Sequence, residues 1–361
     1  MKKSITFLTL ADFHYYKPAW PANIAQLESI LQRAADAKVD FVMHCGDFCA
    51  DYADSPECTK AWVDNKHGLP VYGVYGNHEL EGMNHGRKDL DFEHPMKYVT
   101  PYLTNRADEV VWGTPDGKPA EWGEISYFWF EKNGFRIICT DGFYSRNPET
   151  GEWVHNQTLY VPKGNYPHEA LGADQRAWLE AVLTDAAHKD IPCIVISHCP
   201  FIEWRGRAGD HAEVREIFNR VNAIRKGTVV ASICGHLHTD RAEVQDGIVY
   251  LAINSVINGH WQGALDEHYL PEHTFTYQDY DAEGTYRGEY EKPLDSFWQG
   301  RHGWFHKDPL SAIITVSDDG TVEVEGQESE WVYGVAPTAE SIGDTIGVKN
   351  GITSGTYKAD R

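Results

Sequence analysis

Eight side chains, falling in five short groups, could together hold metal: Asp12 with His14, Asp47, Asn77 with His78, His198, and His236 with His238. Residues two apart in an extended chain point to the same side, so Asp12/His14 and His236/His238 can each offer two ligands in one direction. Gathered at one point, the groups supply three or more imidazoles, two carboxylates and an amide oxygen. That mixture suits Mn, Fe or Zn without strong selection among them. Each group alone has an ordinary explanation. Asp-x-His could be a turn former beside a surface histidine, Gly-Asp is common, and Asn-His after a glycine could be a β-turn. A single histidine behind a strand is more often a hydrogen-bonded core residue than a ligand. Gly235-His236-Leu237-His238 is more specific. Their joint occurrence, each group at the end of a predicted strand, points to a metal centre.

Such groups need a scaffold that delivers them to one edge. Residues 5–10 and 41–45 read as buried strands ending just before Asp12 and Gly46-Asp47. Residues 71–79 begin as a β-branched and aromatic run and present Asn77 and His78 on a turn that Gly76 permits. Residues 193–197 deliver His198, residues 229–234 deliver the Gly-His-x-His group, and 248–253 form a further strand. In residues 24–38, Ile24, Leu27, Ile30, Leu31 and Ala34 recur at helical intervals. Residues 56–65, 173–188 and 210–224 are also predicted helices, and 89–98 is a candidate. Strand, helix, strand, helix, strand signals a doubly wound α/β arrangement, where ligands bind beyond the carboxyl ends of the strands. Hairpins are expected around Asn133-Gly134, and between 312–316 and 321–324. Residues 142–171 read as a long loop, 261–307 as an irregular aromatic-rich insertion, and 327–361 as a tail or docked arm outside a domain spanning 1–326.

A chain of 361 residues can bury a substantial core. Its formal charge of −22 opposes a nucleic-acid polymer as partner, since that binding rests on Lys and Arg neutralising phosphates. A small phosphorylated substrate is compatible with it, because a bound metal can be the largest local charge in a site. No run approaches the roughly 20 apolar residues of a membrane span. The apolar run after Met1-Lys2-Lys3 is short for a signal core and meets Asp12 directly. A cytoplasmic protein without a membrane partner is expected, its oligomeric state left open. The seven cysteines include no Cys-x-x-Cys pair and read as small buried hydrophobes of a reducing compartment.

In this order the five groups resemble the pattern of the calcineurin-like metallophosphoesterases: Asp-x-His, Gly-Asp, Gly-Asn-His-Asp/Glu, a single His, then Gly-His-x-His. The helix beginning Ala173-Asp174-Gln175 ahead of His198, and Ile253-Asn254-Ser255 after the last group, are also similar to that family. The resemblance implies a four-layer α/β/β/α sandwich of two mixed sheets flanked by helices, with the metal site at the C-terminal strand ends. It implies one ion held by Asp12, His14 and His238, a second held by Asn77, His198 and His236, and Asp47 bridging them. Two ions about 3.5–4 Å apart can generate a hydroxide and clamp the attacking and leaving oxygens of an in-line displacement. The expected activity is therefore hydrolysis of a small phosphomonoester or phosphodiester, such as a nucleotide, by a hydroxide bridging two metals. A nuclease, or a catalytically silent scaffold of the same fold, is the alternative. His78 is the expected donor to the leaving oxygen, or else a brace behind the ligands. Arg87, Arg205 and Arg207 are candidates for holding phosphate bidentately. Ala50 stands where the tyrosinate-bound purple subgroup carries Tyr, and His14 where that subgroup lacks histidine, which disfavours it.

Overall fold

The apolar runs of the sequence become the middle strands of two facing sheets. A computed structural model describes residues 3–15, 24–49, 55–81, 103–118, 126–142, 144–146, 153–155, 170–204, 206–263, 274–280, 286–293, 302–331, 336 and 346–361. Strand β1 (Ser4–Leu10), helix α1 (Ile24–Ala37), β2 (Phe41–His44), helix α2 (Ser55–Val63) and β3 (Val71–Gly73) follow one another. The three strands pair in parallel, with Phe7 opposite Phe41 and Val42 opposite Val71. A short helix, α3 (His78–Glu81), follows β3. On the far side of β1 the chain returns antiparallel as β17 (Ala312–Ser317), then β18 (Thr321–Glu325) and β19 (Gly355–Lys358), giving the order β19-β18-β17-β1-β2-β3.

The second sheet has the order β11-β12-β10-β9-β6-β5-β4. Its strands are β4 (Val111–Trp112), β5 (Phe128–Lys132), β6 (Phe135–Cys139), β9 (Cys193–Ile196), β10 (Val229–Cys234), β11 (Arg241–Gln245) and β12 (Ile248–Ala252). The central pairings β6–β9, β9–β10 and β10–β12 are parallel. Helix α4 (Gly172–His188) leads from β6 to β9, and α5 (His211–Ile224) from β9 to β10.

Strand alternation explains why both faces of this sheet are apolar. Ile137, Ile194 and Ile196 point into a core shared with Phe7, Phe41 and Tyr72 of the first sheet, while Ile138 and Val195 join Leu179, Leu183, Val214 and Phe218 of α4 and α5. Tyr72 stacks on Phe130 at 3.9 Å between ring centres, and Phe41 meets the same ring edge-on at 5.4 Å, so the sheets touch directly. Burial of each such side chain contributes about 1.5–3 kcal/mol. Leu27, Ile30, Leu31 and Ala34 seat α1 on the outer face of the first sheet's core. The result is a four-layer α/β/β/α sandwich of two mixed sheets flanked by helices.

Several elements depart from the sequence expectations. Strand β3 stops at Gly73, three residues short of Gly76. The Asn133-Gly134 hairpin forms, with φ of 51° and 82°, as a type I′ turn requires. Asp246-Gly247 makes the same turn, φ 53° and 74°, between β11 and β12. Strand β11 carries no sequence signal because it is a mostly exposed edge with no apolar face to give a period. Within 261–307, where little periodicity was expected, β14 (Thr274–Tyr280) pairs with β15 (Tyr286–Pro293), and β13 (Asn258–Gly263) pairs with β16 (His302–Phe305). A two-stranded ribbon outside the main sheets need not carry an alternating pattern. The 142–171 stretch holds another such pair, β7 (Tyr144–Arg146) with β8 (Trp153–His155). The candidate helix 89–98 lies outside the described residues.

After β19 the last residues cross between the sheets. The Ala359 N–H donates to the Gly320 carbonyl and the Asp360 N–H to Gly247, while Arg361 donates to the Gly227 carbonyl at 2.7 Å and to the Asp190 carboxylate at 3.0 Å. A Cβ on Gly227, Gly247 or Gly320 would lie within 2.6–2.8 Å of these three residues, so glycine turns from both sheets form their socket. No helix of the described residues is long and apolar enough to cross a membrane, and none of the seven cysteines forms a disulfide.

Candidate metal centre

Because β1, β2, β3, β9 and β10 all run the same way within their sheets, their carboxyl ends share one edge of the sandwich. The segments beyond those ends are joined backbone to backbone. The Asp12 N–H donates to the Gly46 carbonyl at 3.0 Å, His14 to Asp47 at 2.9 Å, and Gly235 to His198 at 3.0 Å. The His236 N–H donates to the Asp12 carboxylate at 3.0 Å, and the Ser255 hydroxyl to the Asp12 carbonyl at 3.1 Å. Asp12, His14, Asp47, His236 and His238 all take left-handed backbone, with φ between 50° and 66°. Each such residue costs about 1–2 kcal/mol, although Asp and His bear it better than most. The other non-glycine examples among the described residues, Lys38, Asn133, Asp190 and Asp246, lie at turns. Strain gathered at one edge is the mark of a site whose ligands have been aimed.

Two donor clusters result. Asp12, His14, Asp47 and His238 each offer one atom, and Asp47, His198 and His236 do likewise; within each cluster the atoms lie within 4.8 Å of one another. The Nε2 atoms of His14 and His238 are 3.1 Å apart, and His238 Nε2 is 3.4 Å from the Asp12 carboxylate. Around His198 Nε2 lie His236 Nδ1 at 3.2 Å, Asn77 Oδ1 at 3.3 Å and Asp47 Oδ2 at 3.3 Å. Donors bonded at about 2.1 Å to one ion are separated by roughly 3.0 Å in an octahedron and 3.4 Å in a tetrahedron. The spacings match those edges. The donor set, imidazole with carboxylate and amide oxygen, therefore fits two ions sharing Asp47. His198 Nδ1 lies 2.8 Å from the Cys45 carbonyl, which makes Nδ1 the donor and turns the Nε2 lone pair toward the cluster.

Electrostatics prepare the same groups. Burial, reinforced by the His78 ring, holds His14 well below the usual imidazole range. Burial and the neighbouring His198 bring His236 down to about 3. Both are therefore neutral at ordinary pH, the state in which imidazole ligates metal. For Asp47, burial alone would raise the carboxyl, but the His198, His78 and His14 rings outweigh it and hold it well below the ordinary range. Asp47 Oδ1 accepts from the His78 N–H at 2.8 Å, while the His78 ring meets that of His14 edge-on at 4.5 Å. His78 is thus half-buried beside the first cluster.

Glu79 carries no expected role, yet the structure gives it a large one. Fully buried, its carboxylate accepts from the backbone N–H groups of Asp47, Phe48 and Cys49 and of Gly76. It ties the loop carrying Asp47 to the loop carrying Asn77 and His78. Burial and the nearby Asp47 charge push Glu79 up to about 7, against the pull of those donors. Its signal was the fourth position of the Gly-Asn-His-Glu group, which alone says nothing about its partners. Gly76 also works differently from the expectation. It has no left-handed φ; a Cβ there would fall 2.1 Å from Asp47 Oδ1, so the position needs emptiness rather than an unusual turn. Gly46 needs both, since its φ is 88° and a Cβ would sit 2.4 Å from His198 Nδ1.

Not every strand-end carboxylate joins the centre. Asp141, beyond β6, exchanges backbone bonds with the Gln175 side chain at 2.9 and 2.7 Å and accepts from the Ser126 hydroxyl. Of the candidate phosphate-binding arginines, Arg207 is exposed and pairs with Glu203 at 3.0 Å. Arg87 and Arg205 lie outside the described residues.

Residues 5–240 match the family model described as calcineurin-like phosphoesterase. A dimetal phosphatase from Danio rerio is similar in structure at 15% identity and a TM-score of 0.51, over 92% of this chain and 99% of that one. An anchor protein of the inner membrane complex of Plasmodium aligns at 13% identity and a TM-score of 0.42, over 99% and 89% of the respective chains. A Staphylococcus aureus protein described as a putative 5'-nucleotidase aligns at 12% and 0.37, over 81% of this chain and 54% of that one. No curated protein sequence matches the chain significantly.

Proposed function

The chain belongs to the calcineurin-like phosphoesterase family, and on that premise we propose that it hydrolyses phosphoester bonds of small phosphorylated molecules with two metal ions. The observation that carries this reading is the pair of donor clusters meeting at Asp47, one buried and the other nearly so. Asp12, His14 and His238 would hold one ion and Asn77, His198 and His236 the other, with one Asp47 carboxylate between them. The donor chemistry accommodates Mn, Fe or Zn. Once bound, the ions would supply Lewis acidity toward the phosphoryl oxygens and an activated water at neutral pH.

The chain's own residues do the remainder. Neutral His14 and His236 bind without first releasing a proton, and Asp47 stays ionised across the working range. His78, whose backbone N–H donates to Asp47, would donate a proton or hydrogen bond to the departing oxygen. The net charge of −22 favours a small substrate drawn by the local centre over a nucleic-acid polymer.

Mono- and bis-nitrophenyl phosphates, offered with and without Mn²⁺, test the reading. Turnover is expected to need metal, to vanish on chelation, and to be absent from Asp47→Asn at any metal concentration. His78→Ala is expected to keep both ions while turnover drops about 10²–10⁴-fold, the usual worth of a general acid. Metal loss in His78→Ala would reassign that residue to bracing the ligands. Absence of turnover on every phosphoester in metal-loaded protein would reject the hydrolase.

A further inference from the structure

Beyond β9 the chain does more than supply His198. The Ala208 N–H donates to the Pro200 carbonyl at 3.0 Å and closes a loop whose Phe201 and Ile202 are buried in the core beneath α4 and α5. Trp204, also buried, pins the loop to strand β11. Its indole N–H donates to Glu243 at 3.1 Å, and the Arg241 guanidinium lies 4.9 Å from its ring centre. Beyond this anchor the chain passes the outer edge of the His236 imidazole. At Gly206 φ is 72°, and a Cβ there would fall 2.9 Å from His236 Cδ2, 3.2 Å from Nε2 and 3.0 Å from the Leu237 side chain. Backbone therefore rests against one edge of the ring, while Nδ1 on the other edge faces His198 Nε2 at 3.2 Å.

His236 has particular need of such support. Asp12, His14, Asp47, His198 and His238 are buried, whereas His236 and Asn77 are only half-buried. A half-buried imidazole on left-handed backbone can swing about χ1 and χ2 unless something stops it. We propose that the loop of residues 200–204 and 206–208 is a brace for His236, and that Gly206 is a positioning residue setting the affinity of the ion shared by Asn77, His198 and His236. The proposal rests on the two-ion reading and adds that the two ions differ: one sits among buried ligands, and the other depends on a loop from outside the ligand set.

Calorimetric titration of the full chain with Mn²⁺ tests it, each variant first checked by metal-free thermal unfolding. The unmutated chain is expected to take up two ions. Gly206→Ala is expected to retain one at unchanged affinity and to bind the other at least tenfold more weakly. Gly68→Ala is the control for backbone strain, because Gly68 has φ 65° with nothing within 4 Å of a Cβ; both its affinities are expected to stay unchanged. Trp204→Phe, which only loosens the anchor, is expected to weaken the same ion about threefold, and this variant serves if Gly206→Ala does not fold. In a His236→Ala background Gly206→Ala is expected to have no further effect, since the braced ring is gone. Equal weakening of both ions, no weakening in either variant, or an undiminished effect without His236 would overturn the brace. Fewer than two ions in the unmutated chain would instead reject the two-ion reading itself.

Discussion

Glu79 owes its importance to what it accepts rather than to what it could bind. One buried carboxylate takes backbone N–H groups from two loops about thirty residues apart, with no Lys or Arg among its hydrogen-bond partners in the described residues. Glu79→Gln would turn an NH₂ toward N–H donors. The expected loss is about 2 kcal/mol or more in denaturant unfolding, together with a fall in metal stoichiometry as the Asp47 loop drifts. Unchanged stability would show that the carboxylate is dispensable. His306 is the opposite case: a fully buried ring, stacked on Trp331, with neither nitrogen hydrogen-bonded among the described residues. Burial, then the nearby His238, lowers it to about 3. In the unfolded chain it titrates near 6.5, so its neutral form contributes stability above that pH, and the contribution is lost as pH falls toward 3. His306→Phe is therefore expected to flatten the acid side of the stability profile, with a relative gain near pH 5 of about 2 kcal/mol. Parallel pH profiles for the two chains would contradict this. At this scale the ligands were legible because residue type and strand-end position carry their chemistry. Glu79 and His306 were not, because their roles depend on backbone groups and burial contributed by distant segments.

Elements were readable where a face had to be buried. The helix over 24–37 showed its stripe, and the parallel strands appeared as apolar runs because both their faces meet core. Strand β11 and the ribbons β13–β16 and β14–β15 left no such trace. The strand-end loops lay between these extremes. Their glycines are visible in the sequence, yet what requires Gly76 is the proximity of Asp47 rather than turn geometry. That reason can be tested. Gly76→Ala is expected to displace the shared carboxylate and leave fewer than two ions per chain by elemental analysis, with a stability cost of about 1–3 kcal/mol from overpacking. Full metal content in Gly76→Ala would mean that the two loops separate more easily than their contacts suggest.

For the molecule as a whole, chemistry and cohesion occupy opposite edges of the sandwich. Metal ligands crowd the carboxyl edge, while residues 359–361 fasten turns of both sheets at the other. Deletion of 359–361 is accordingly expected to lower the thermal midpoint by roughly 3 °C, corresponding to about 2 kcal/mol in a chain of this size, yet to leave metal stoichiometry intact at low temperature. Loss of the ions at low temperature would mean that the two edges are coupled through the sheets.

Strand β1 lies between β2, which follows it closely in the chain, and β17, which begins at residue 312. During synthesis, the segment bearing Asp12 and His14 emerges early with one side paired and the other open. Its second neighbour leaves the ribosome only after some three hundred more residues. An unprotected strand edge invites wrong partners for as long as it waits. Nascent chains arrested before residue 312 are thus the form of this protein most in need of a chaperone, and the least able to keep its first two ligands in place.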